Sequence, residues 1–139
     1  MVKFSIPNNG SFYTFCIKPV VMFAGSRYRF IPLGLAKSIV KAYPHDGFNF
    51  LVGCANGIDN SFRIALSQTN QFKNSFVACA FRHRTTSKHT YGLPASLVVP
   101  EYITPKQALH KRSCYMVERA SVAVVFPDNP FTNSWGNGS

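Results

Sequence analysis

Apolar residues along this chain fall into two alternating patterns. Val20 to Ala24 is an unbroken apolar run, and Phe48 to Ala55, Phe76 to Phe81 and Ser121 to Phe126 repeat it. Short continuous runs of this kind suit strands covered on both faces. Between them the period changes. Leu35, Ala36, Ile39, Val40 and Tyr43 recur at helical spacing, opened by Pro32 and stopped by Pro44. Ile58, Phe62, Ala65 and Leu66 mark the inner stripe of a second helix. Ser96 to Pro100 reads as a short further strand, and Thr104-Pro105 opens a helix that runs to about Arg119, with Thr104 as its N-cap. Strands alternating with helices predict an α/β fold: a three-layer, Rossmann-like, mostly parallel sheet flanked by helices and joined by right-handed crossovers.

Residues 1–19 stand apart as an N-terminal arm or hairpin: Phe4 and Ile6 alternate with polar residues, Asn8 to Ser11 looks like a turn, and Pro19 ends the segment. Residues 20–139 then form one domain. Arg82 to Gly92, RHRTTSKHTYG, is read as too hydrophilic to be core.

Charge changes the picture more than length does. Fifteen Lys and Arg against five Asp and Glu give a formal charge of +10, which points to an anionic partner such as a nucleotide or nucleic acid. The four cysteines are scattered, with no CxxC or Cys/His cluster, so no metal is expected. Cys54 and Cys79 sit inside apolar runs, where reduced cysteine packs as a small hydrophobe. That suggests a reducing compartment, and the lack of a leader or a spanning apolar run completes a cytoplasmic reading with no membrane partner. Neither GxGxxG nor a Walker loop is present. No cofactor is expected.

In parallel sheets ligands bind beyond the carboxyl ends of the strands, so the strand ends carry the chemistry. Gly25, Ser26 and Arg27 follow the first strand, and Gly53-Cys54-Ala55-Asn56-Gly57-Ile58-Asp59 follows the second. Glycines let backbone N–H groups approach a phosphate, and an arginine fork grips its oxygens. Asp59 either caps the helix it opens or touches a ligand. Leu109, Met116 and Ala120 define the inward line of the last helix at about 100° per residue, and Arg112 and Ser113 flank that line. Arg112 either snorkels over apolar surface or reaches the pocket edge. The five acids form no close pair for acid/base work.

Taken together, GSR after the first strand, GCANGID after the second and HKRSCYMVERASVAVVFP before the last resemble the SLOG superfamily. Its members include the DNA-processing protein A family, the YpsA-like proteins and the lonely-guy phosphoribohydrolases; the short DNA-processing-A-like type is the nearest in pattern. The resemblance covers about Val20 to Ser139. It implies ligand contacts at Gly25, Ser26, Arg27, Gly53, Ala55, Gly57, Asp59, Arg112 and Ser113, and a Ser/Gly-rich loop at Ser134, Gly136, Gly138 and Ser139. The implied function is a binding module for a nucleotide or nucleotide-derived anion, possessing a homodimeric habit. Single-stranded nucleic-acid binding is the alternative, carried by Arg82, Arg84, Lys88 and the stacking ring of Tyr91. A nucleotide N-glycosidic hydrolase is the third, with Asp59 or an acid beyond residue 139 assisting. The PGGxGTxxE motif of the lonely-guy enzymes has no counterpart: PDNPFTNSWGNGS stands in its place without the glutamate. Family members continue from the phosphate loop into another helix, so the sequence reads as a fragment, or as a site that another chain completes.

Overall fold

A computed structural model describes residues 18–128. Five strands form its sheet: β1 Val20–Gly25, β2 Asn49–Gly53, β3 Ser75–Cys79, β4 Ala95–Leu97 and β5 Val122–Phe126. The spatial order is β4-β3-β2-β1-β5, and all four pairings are parallel. The helices are α1 Leu33–Lys41, α2 Ile58–Ser67, the single-turn α3 Ser87–Thr90 and α4 Pro105–Arg119. The expected Rossmann-like α/β architecture is therefore present. The chain steps from β1 out to β4, then returns across the sheet to place β5 on the far side of β1. That reversal lies between β1 and β5, the kind of switch point beside which open α/β sheets form a crevice.

Period-2 alternation sorts the strand residues between two faces. Val21, Phe23, Phe50, Val52 and Val77 point to one face, where Ala36 and Val40 of α1 and Phe62, Ala65 and Leu66 of α2 close over them. Phe23 stacks on Phe62 with ring centroids 4.2 Å apart, and Phe62 in turn meets Phe126 of β5 at 5.8 Å. The other face holds Met22, Leu51 and Ala78 against Met116 of α4. Leu35, expected inside, is exposed: the buried line of this nine-residue helix runs through Ala36 and Val40.

α4 begins where the sequence puts it. The Thr104 side chain accepts from the Gln107 backbone N–H at 3.2 Å, and the Gln107 side chain accepts from the Thr104 N–H at 3.1 Å, a complete capping box. Thr104→Val should lower stability by about 1 kcal/mol, read as a shift of the urea midpoint at unchanged slope. The inward line differs from the expected one: Ala108, Arg112 and Met116 are buried, Leu109 and Ala120 are half-buried, and Ser113 faces solvent. The helix is turned so that an arginine, not a leucine, occupies the centre of its inner face. The reason lies in the charges beneath it.

The basic stretch also departs from expectation. It folds into a 3-10 turn at Arg82–Arg84 followed by α3, with Thr90 buried and His89 half-buried. His89 enters the interior because its carbonyl accepts from Arg63 and its ring nitrogen meets the Cys54 carbonyl there. The N-terminal arm, apart from Lys18 and Pro19, lies outside the described residues, as do Ser134, Gly136, Gly138 and Ser139. Among the described residues no helix is long and apolar enough to cross a membrane.

Candidate functional site

The loops after β1, β2 and β3 and the end of β5 meet at the carboxyl edge of the sheet. At the switch point the Ser26 N–H donates to the Phe126 carbonyl at 2.9 Å, and the Ile58 N–H donates to the Ser26 carbonyl at 2.9 Å. Ser26 thus ties β5 to the N-terminus of α2. Its hydroxyl accepts the Tyr28 N–H at 3.0 Å and is fully buried. Gly57 sits at φ 75°, and a Cβ there would collide with the Ser26 carbonyl and lie 2.7 Å from the Arg27 carbonyl carbon. Its glycine character brings two loops together. Arg27 remains exposed, its guanidinium 5.7 Å from the Tyr28 ring.

Beneath this edge lies a buried polar network. Asp59, at the start of α2, accepts the Ala55 N–H at 3.1 Å and sits 3.6 Å from Nη1 of Arg112. Its carboxylate therefore closes its own loop and pairs with the inward arginine of α4. Arg63, one helical turn further along α2, is 1 % exposed. Its Nη1 donates to the carbonyls of Gly53 and Ala55 at 2.8 Å each, its Nε to the His89 carbonyl at 3.2 Å, and its Nη2 to Asn60 at 3.1 Å. Asn60 also accepts from the Tyr91 hydroxyl at 2.8 Å. One guanidinium thereby pins the β2 loop and the α3 segment together.

Cys54 is at the centre. Its sulfur accepts from Arg112 Nη1 at 3.3 Å, from the Ala80 N–H at 3.3 Å and from Arg84 Nη1 at 3.6 Å. Its carbonyl receives Arg84 Nη1 at 3.3 Å and lies 2.7 Å from His89 Nε2. The Cys79 thiol beside it, the Arg112 cation, the Ala80 N–H and Arg84 hold the Cys54 thiol down to about 4, against the opposing effect of burial. The Cys79 thiol is pushed up, first by its bond to Cys54 and then by burial. Burial likewise raises the Asp59 carboxyl, overcoming the pull of Arg112, and lowers the Arg63 guanidinium and the His89 imidazole.

Charge counting agrees with that assignment. Three guanidiniums, Arg63, Arg84 and Arg112, enter this network with one carboxylate, Asp59, which among the described residues pairs with Arg112 alone. A Cys54 thiolate brings the cluster nearer neutrality, and the remaining excess is positive. Arg112 Nε is buried without a hydrogen-bond partner among the described residues. Next to the network, between the ends of β3 and β4 and the first turns of α4, opens a cavity of about 510 Å³. Ala80, whose amide bonds Cys54, lines it, together with Phe81, His83, Leu97, Ile103 and Ala108.

Of the expected site residues, Gly53, Ala55, Asp59 and Arg112 come together in the network, and Ser26 and Gly57 meet above it. Gly25 lies where β1 pairs with β5, and Ser113 points away from all of these. Arg84 joins the network, whereas Arg82 forms an exposed two-pronged pair with Glu101 at 2.6 and 3.0 Å. Lys88 and Tyr91 are exposed. Sequence reasoning missed Arg63 and His89, and it took Cys54 for an apolar filler. The signal for Arg63 was present: it stands four residues after Asp59, on the same flank of the apolar stripe of α2. No protein-family model matches the chain, and no curated protein or solved structure matches it.

Proposed function

We propose that the carboxyl edge of the sheet is a binding site for a nucleotide or nucleotide-derived anion, in keeping with the resemblance to SLOG domains. The observation that carries this reading is the cationic excess below the ends of β2 and β3: three guanidiniums, Arg63, Arg84 and Arg112, share a buried network with one carboxylate, Asp59, and Arg112 Nε is unpartnered among the described residues. Exposed Arg27 supplies a further fork at the rim for phosphate oxygens. The adjoining cavity, of about 510 Å³, falls in the range of small-molecule sites, and its Phe81 and Leu97 walls suit a nucleobase. Free, buried Cys54 and Cys79 support a reducing, cytoplasmic setting.

The test is a thermal-shift panel of nucleoside mono- and diphosphates, dinucleotides and cyclic nucleotides. A ligand at 100 times its Kd should add about 2.7 kcal/mol. Arg27→Ala should weaken binding about tenfold, through the loss of one charge-assisted contact, without lowering the melting temperature of the free protein. A panel in which nothing stabilises the protein removes the reading.

A second reading has its own observation. Arg27-Tyr28-Arg29-Phe30 is an exposed loop of alternating cations and rings, Tyr28 being 76 % and Phe30 63 % exposed. Cations interleaved with stacking surfaces suit single-stranded nucleic acid. Such binding weakens steeply with salt. Gel shifts with single strands at low and high salt distinguish it from nucleotide binding.

A further inference from the structure

We propose that Cys54 and Cys79 are a thiol pair that hydroperoxide closes into a disulfide, making the network below the carboxyl edge an oxidant-responsive site. The geometry carries this inference. Cys54 directly follows β2 and Cys79 ends β3, one step beyond the last ladder pair of these adjacent parallel strands, Gly53 with Ala78. Neighbouring strands lie about 4.8 Å apart, inside the Cα separation that a disulfide accepts. Both side chains belong to the same apolar cluster and so share a face of the sheet. Three N–H donors converge on the Cys54 sulfur, from Arg112, Ala80 and Arg84. They stabilise an anion there, and thiolate is the form that attacks peroxide. The Cys79 sulfur keeps its proton and lies 3.4 Å from the Arg84 carbonyl.

The chemistry balances with peroxide as the only added reagent. The Cys54 thiolate attacks one peroxide oxygen, the O–O bond breaks, and hydroxide leaves, taking up a proton to become water. Cys54 is now a sulfenic acid, two electrons more oxidised. Its negative charge is gone, and with it the principal influence that held Cys79 protonated. The Cys79 sulfur, losing its proton, then displaces hydroxide from the Cys54 sulfur; that hydroxide and proton leave as a second water. The sum is one disulfide and two waters from thiolate, thiol, hydrogen peroxide and one proton. Closure also takes a negative charge from between Arg84 and Arg112.

Both sulfurs are buried. Arg84 and His89 rest on the Cys54 carbonyl, so peroxide enters when their segment lifts. The charged and titratable groups around Cys54 are Arg112 from α4, Asp59 and Arg63 from α2, Cys79 from β3, and Arg84 and His89 from the segment above. With the closed state already a thiolate, the population of open thiolate is independent of pH above about 4.

The test exposes the full chain to hydrogen peroxide, blocks free thiols under denaturing conditions and maps the peptides by mass spectrometry. The expected product links Cys54 to Cys79. Its rate of formation should change less than about threefold between pH 8 and 6, where a thiol of ordinary acidity loses about 80-fold. Cys79→Ser should arrest Cys54 as a sulfenic acid that a dione probe captures. Two results overturn the proposal: Cys54 and Cys79 recovered as free thiols while exposed Cys114 is oxidised, or either one bonded instead to Cys16 or Cys114. An ordinary pH profile also overturns it, because it shows that no thiolate is held in the folded protein.

Discussion

Gly53→Ala is expected to lower the unfolding free energy by about 3–5 kcal/mol, the cost of disrupting a buried ion pair. Gly53 is the last residue of β2, and the space a side chain would take there is already filled. A Cβ would collide with Asp59 Oδ2 and stand 2.7 Å from Arg112 Nη1. Neither partner can move aside cheaply. Asp59 is fixed by the Ala55 N–H, and the Arg112 guanidinium also donates to the Cys54 sulfur. The methyl group thus forces apart two charges that have no water to fall back on. Urea denaturation measures the loss. Asp59→Asn combined with Arg112→Met should recover much of it in the Gly53→Ala background, because the collision then involves no stranded charge. An alanine variant that melts with the parent protein would show that the pair does not occupy this space.

Arg63→Met should cost at least about 2 kcal/mol, since two or more buried carbonyls lose their donor at about 1–3 kcal/mol each. Methionine preserves most of the volume and removes only the fork. The Gly53, Ala55 and His89 carbonyls all depend on that fork, at 2.8, 2.8 and 3.2 Å. Arg63→Lys should rescue little, because one ammonium cannot reach three acceptors spread across a planar guanidinium. The change also has a location. Amide hydrogen exchange should speed up in residues 82–92, which Arg63 holds through His89 and Asn60, while the β1–β2 ladder keeps its protection. Unchanged exchange in that segment would mean that it is held by something else.

The fold was legible because most elements announce themselves twice. Val20 to Ala24 is both a continuous apolar run and a run that stops at Gly25. The last helix has its Thr-Pro start, its Thr104/Gln107 box and the β5 run after it. The site was only partly legible. GCANGID pointed correctly at a strand-to-helix turn, and Arg112 was correctly placed on the core side of its helix. Its destination could not be read, because an arginine at an inward position looks the same whether it snorkels or meets a carboxylate from another helix. Cys54 was misread for a related reason. In sequence it sits among small apolar residues, and its three N–H donors come from positions 80, 84 and 112. Hydrophobic periodicity reports which residues go inside; it is silent about which polar groups find each other there.

Strand order also has a consequence for how the protein is made. β2, β3 and β4 each pair with the strand before them, so on the ribosome each can join the growing sheet as it emerges. β5 cannot, because its partner is β1, and the Val20–Ser121 contact at the start of their ladder joins residues 101 apart in sequence. Until nearly the whole described chain has been synthesised, β1 is an open sheet edge. The link from Ser26 to Phe126 forms only when β5 docks, so the switch-point loops take their final shape in the last step of assembly. A nascent chain stalled short of β5 would carry the GSR loop without the bond to Phe126 that anchors it.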